Sequence, residues 1–152
     1  MKATRHRKHL LAALLQRHAQ TFAQELGFDL TKNTPSTLFR LLCFALLASA
    51  RISHDIAIQA ARALARQKWN TAHRMAESTW RQRTDTLNRA GYARYDESTA
   101  RMLGDTAQHL LDEYRGDLRN LREAANRDAA AERRLLKAFK GVGDCGRRHL
   151  LS

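Results

Sequence analysis

At 152 residues and 17.3 kDa the chain is long enough for one domain with its own core and short of two ordinary ones. A hydrophobic fraction of 43% excludes disorder throughout, and seven glycines with one proline are too few to punctuate a protein of many strands. Lys and Arg total 27 against 15 Asp and Glu, and the resulting net charge of +12 draws polyanions, with nucleic acid the leading partner. Arg far outnumbers Lys. Its forked donors suit phosphate, and high-GC codon usage enriches Arg and Ala with no functional demand at all.

Helical spacing of apolar residues runs through nearly the whole chain. A first helix is expected from Arg5 to Leu26, with Leu10, Leu11, Leu14, Leu15 and Phe22 on one face and Gly27 as its stop. Asn33, Thr34 and the only proline, Pro35, then read as a cap and first turn for a second helix over Ser36 to Ala50. Ser53 caps a third helix whose Ile56, Ala60, Ala63 and Leu64 share a face, and Asn70 is expected to cap a short one through Met75.

A fifth helix starts near Thr79, carries Trp80 and Leu87, and ends at Gly91. Asp96 or Ser98 is expected to cap a long helix with the stripe Ala100, Leu103, Ala107, Leu110, Leu111 and Tyr114, closed by Gly116. Asp117 opens a short helix to about Asn126. A last one, about Ala129 to Lys140, presents Leu135, Leu136 and Phe139 before Gly141. No segment alternates at period two, so the expected fold class is all-α, with about eight short helices in a multi-helix orthogonal bundle. Residues 1–32 read as an N-terminal helix and linker, and residues 33–152 as the main helical domain.

The two cysteines, Cys43 and Cys145, form no disulfide or zinc spacing, which fits a reducing compartment. The apolar run from Leu41 to Ala50 is about half the length of a bilayer span and is flanked by Arg40 and Arg51. The apolar run after the basic start is interrupted by Gln16, Arg17 and His18, unlike a signal peptide. The expected location is therefore the cytoplasm, with nucleoid association.

The chemistry concentrates near the carboxyl end, at "LLKAFKGVG". Gly141 and Gly143 remove side chains that would hold a phosphate strand away, and their amides can point outward while Val142 tucks in. A helix starting at Asp144 would add its positive dipole end to the same phosphate, although the Asp144 carboxylate would weaken the contact. Read alone, the same residues also make an ordinary helix cap followed by a loop.

From about Pro35 to Gly143 the chain resembles the endonuclease III-like helix-hairpin-helix DNA glycosylases. "LLKAFKGVG" looks like their hairpin, and "LFRLLCFALLASARIS" is similar to their first core helix and the turn after it. "LNRAGYARYDESTARMLGDTAQHLLDEYRG" follows their order of a helix closed by Gly and an aromatic, a long helix and Tyr-x-Gly. The resemblance implies a two-lobed all-α fold that bends damaged duplex DNA and turns a nucleotide out of the stack. It implies weak, sequence-independent binding of double-stranded DNA through Lys137, Lys140, Gly141, Val142 and Gly143. It also implies that Arg51 fills the gap left by an extruded base, and that the turn bearing Tyr92 and Arg94 lies near the DNA backbone. Tyr92 or Tyr95 is expected to anchor that turn to the core.

No catalytic residue, metal or cofactor is expected. The position of the family's Schiff-base lysine, two residues beyond the last hairpin glycine, holds Cys145, and a thiol cannot form that intermediate. The chain stops before the downstream aspartate used by other members and has no four-cysteine cluster for iron and sulfur. The tail, with Arg147, Arg148 and His149 in succession, reads as the end of a shortened or frameshifted member. A second polypeptide could supply the missing lobe, and a basic helical interaction module for protein or RNA is the alternative class. His6 and His9 share a helical face without a third metal ligand, and Asp96, Glu97, Asp112 and Glu113 read as caps and solvated surface.

Overall fold

The computed structural model describes residue 26, residues 34–126 and residues 128–139. The expected helix from Arg5 to Leu26 lies outside the described residues apart from Leu26, which is helical and packs on the core. Every described element is an α-helix, as the spacing predicts, and no strand occurs among the described residues.

Helix α1 (Pro35–Ser49) starts where Thr34 Oγ1 accepts the Thr37 amide at 3.2 Å, with Pro35 supplying a pre-set first turn. Its residues from Leu38 to Leu47, Arg40 excepted, are buried around the whole circumference, so α1 is the axis of the core. Helix α2 (His54–Arg66) follows its Ser53 cap as expected, although Ala57 and Ile58 face inward more completely than Ile56 does. Helix α3 (Ala72–Glu77) is capped by Thr71 instead of Asn70. Thr71 has the extended backbone that aims its hydroxyl at the Arg74 amide, and the backbone carbonyl of Asn70 accepts from Ser36 Oγ at 3.1 Å.

Helix α4 (Trp80–Arg89) opens with a reciprocal box in which Thr79 Oγ1 accepts the Gln82 amide and Gln82 Oε1 accepts the Thr79 amide. Helix α5 (Asp96–Tyr114) is the hub, packing against α1, α3 and α4. Neither Asp96 nor Ser98 caps it. Tyr95 holds the cap position, Asp96 is already helical and accepts its neighbour Glu97's amide, and Ser98 Oγ donates to Tyr95 O. Helix α6 (Arg119–Ala124) packs on the end of α5, after Asp117 Oδ1 has accepted the Arg119 amide at 3.0 Å. Helix α7 (Ala129–Lys137) is capped by Asp128, packs on α6, and ends three residues before the expected Lys140.

One buried cation joins three of these helices. Arg83 on α4 is 7% exposed, and its Nε donates to Ala100 O on α5 at 2.8 Å. Its Nη1 donates to Ser78 O at 2.7 Å and to Ser78 Oγ at 3.0 Å, just past the end of α3. Burial lowers the guanidinium's pKa, and the nearby Asp105 carboxylate pushes it back up, so the group keeps its charge. Gly104 makes the approach possible: a Cβ there would lie 2.4 Å from Nη2 and 2.8 Å from Cζ of Arg83.

Substituting Gly104 by Ala forces that guanidinium off its carbonyls. The gain in helix propensity, about 1 kcal/mol, is outweighed by the loss of two or more charge-assisted bonds worth about 1.5–3 kcal/mol each. The expected outcome is a net destabilisation of about 2–5 kcal/mol, measured as a lowered urea midpoint; an unchanged or raised midpoint would contradict it.

Candidate nucleic-acid interface

Of the described candidates, Arg51 stands at the corner between α1 and α2. Ala50, the cap of α1, is extended, so the helical ladder stops there. Ile52 N then donates to Ala50 O at 2.8 Å, closing a three-residue turn with Arg51 at its centre. Arg51 is exposed, and Ser53 immediately starts α2, so the arginine stands at the tip of a short rigid link between two packed helices.

A second turn is tied to the last turn of α1. Helix α4 ends in a Schellman arrangement: Gly91 N donates to Asn88 O at 3.0 Å and Tyr92 N to Leu87 O at 2.9 Å. Gly91 takes φ +95°, open to glycine and strained for other residues, and this turns the chain inward. Tyr92 consequently enters the core with no exposed surface, and its hydroxyl donates to Leu47 O in the last turn of α1 at 2.7 Å. Thr99 Oγ1 of α5 donates to the same hydroxyl at 3.4 Å. Tyr92 is thus the anchoring tyrosine, while Tyr95 stays half-buried beneath the Arg94 guanidinium, 5.3 Å from the ring centroid.

These contacts bring the turn bearing Arg94 to the end of α1 that leads into Arg51. Arg94 is exposed, as is Arg89 in the last turn of α4. The turns that carry these exposed arginines are therefore held from inside by the buried Tyr92. The acidic residues Glu97, Asp112 and Glu113 are exposed, and Asp96 is partly buried against Asn88 Nδ2 at 3.0 Å, in keeping with surface and turn roles.

Lys137 is the last residue of α7, and Ala138 N closes that helix onto Leu135 O. Phe139 is buried edge-on against His109 at 4.6 Å, within 6.2 Å of the Tyr114 ring, so the chain at residue 139 is docked on α5. Lys140, Gly141, Val142, Gly143 and Cys145 lie outside the described residues, as do His6 and His9. No group of three or more His, Cys, Asp or Glu that could hold a metal occurs among the described residues. A cleft of about 20 Å³ between α1 and α2, lined by Arg40, Cys43, Phe44, Leu64 and Trp69, has room for one water and is far below the size of a substrate pocket. Cys43 itself is buried, and desolvation pushes its thiol far above the usual range, with Arg40 partly opposing. Among the described helices, none is long and apolar enough to cross a membrane.

No protein-family model matches the chain, and no curated protein or solved structure matches it either.

Burial raises the Tyr92 phenol above its ordinary pKa of 10.0, with Thr99 opposing and Tyr95 reinforcing the shift. A raised folded pKa means that the contribution of the protonated hydroxyl is full below pH 10 and declines as pH rises beyond it. Thermal melts of the wild type and Tyr92→Phe should accordingly differ by a constant margin between pH 7 and 9, and the margin should shrink above pH 10; a margin that grows with alkali would refute this.

Proposed function

We propose that the chain binds double-stranded DNA in the manner of an endonuclease III-like helix-hairpin-helix protein, weakly and without sequence preference, and that it performs neither base excision nor strand cleavage. The reading rests on the exposed Arg51, centred in its closed turn and held beside the Arg94 turn, in a chain of net charge +12. Helix α7 leads into the docked Phe139, two residues before the Gly-Val-Gly segment in sequence, whose amides are the second proposed contact with phosphate. Lys137 and Lys140, which precede that segment, are the further proposed phosphate partners. Cytoplasmic, nucleoid-associated residence follows from such a role.

The proposed lack of cleavage rests on Cys145, which stands where the resemblance requires an amine. Arg51 could still stack and donate within a distorted duplex, so a binding role survives without the reacting group.

Duplex binding should fall steeply with salt, with non-specific dissociation constants in the range of about 10⁻⁴–10⁻⁶ M at physiological ionic strength. Arg51→Ala should weaken binding and lower the salt slope by about one. Gly141→Ala with Gly143→Ala should weaken it further, as titrations followed by fluorescence anisotropy would show. An affinity indifferent to salt, or unchanged in all these variants, would refute the reading.

Borohydride added to the purified chain with DNA carrying abasic sites should trap no covalent adduct. An adduct would overturn the proposed lack of lyase chemistry.

A further inference from the structure

We propose that Tyr92 is a positioning residue for the DNA contact, setting where Arg51 stands relative to Arg94 without touching nucleic acid itself; the inference rests on the DNA-binding reading above. Tyr92 is fully buried, so it cannot meet a phosphate or a base. Its hydroxyl nevertheless bridges the two backbone segments that carry the exposed arginines, donating to Leu47 O at 2.7 Å, four residues before Arg51 and two before its own neighbour Arg94.

The extended Ala50 takes the chain away from the helical path, so the last carbonyls of α1 lose their in-helix amide partners, and the buried Leu47 accepts a donor from elsewhere. The Schellman turn at Gly91 delivers Tyr92 there, and Thr99 holds the same oxygen from α5 at 3.4 Å. Three elements, α1, the Gly91 turn and α5, therefore share one phenolic oxygen. Removing it leaves the Leu47 carbonyl without this donor and frees the corner to shift, while the apolar ring still fills the core. The ring and the hydroxyl have separable consequences, packing for the first and alignment of Arg51 with Arg94 for the second.

The test compares wild type, Tyr92→Phe, Arg51→Ala and the double variant in duplex-DNA titrations at low salt. Gly104→Ala serves as a control that destabilises the same helical body away from the corner. Tyr92→Phe should weaken binding on the order of fivefold, the loss should vanish in the Arg51→Ala background, and Gly104→Ala should leave affinity unchanged at a temperature where all variants are folded. An equal loss in both backgrounds, or no loss while Arg51→Ala weakens binding, overturns the positioning role and leaves the DNA-binding reading standing.

A second measurement needs no DNA. Spin labels on Arg51→Cys and Arg94→Cys, with Cys145 replaced by Ser, should give a narrow distance distribution that broadens or shifts when Tyr92→Phe is added. If the chain fails to bind DNA but the distribution broadens, the geometry of the inference holds and the functional reading falls. An unaltered distribution overturns the inference whatever the titrations give. Should Tyr92→Phe not fold, Thr99→Val, which removes the longer of the two hydroxyl contacts, must move the distribution in the same direction.

Discussion

A helix that ends inside a protein leaves its last carbonyls without amide partners, and this chain, cut into short helices, has many such ends to satisfy. It does so with side-chain donors from the segments that follow or pack on it: Tyr92, 45 residues on, for the end of α1, Arg83, five residues on, for the end of α3, and Asn120, whose Nδ2 donates to Tyr114 O at 2.8 Å, for the end of α5. Each of these donors ties two or three helices together at the point where one of them stops. Polar contacts thus join the apolar core where these helices stop, and the corner bearing Arg51 follows the helix end held by Tyr92.

The same constraint explains which features were legible in the sequence. Caps are local, and Thr34, Ser53 and Thr79 can be read directly because the hydroxyl and the amide it accepts are three residues apart. The choice between Asn70 and Thr71 cannot be read that way, because both are capping residue types at adjacent positions and only the backbone path, extended at Thr71, selects the hydroxyl that meets the Arg74 amide. The stripe on α5 was visible from periodicity, and Ala100, Leu103, Ala107, Leu110 and Tyr114 are all buried. Tyr95 at the start of that helix is different. It has no capping side chain, so the acidic residues after it gave a misleading signal.

Arg83 and Gly104 went unread, although each left a trace. An arginine on the inward side of a short helix and a glycine in the interior of a long one both break the expected pattern, and together they point to a close approach of side chain to backbone. Of the candidate interface, the residue types were legible and the arrangement was not. Nothing local to Arg51 indicates that its corner is held by a tyrosine whose hydroxyl bonds a carbonyl 45 residues away in sequence. Non-local hydrogen bonds of this kind leave no periodicity to detect.

Two helix ends carry a further consequence. Lys68 after α2 and Arg115 after α5 occupy left-handed backbone, at φ 66° and 55°, in turns where glycine would relax without strain. Both keep a cation beside the negative pole of a helix dipole. Local conformational ease has been traded for electropositive density, and the molecule's cationic character is thereby built into its chain reversals as well as its helix flanks, so that substitutions towards glycine at these bends would make the scaffold more relaxed and less basic at once.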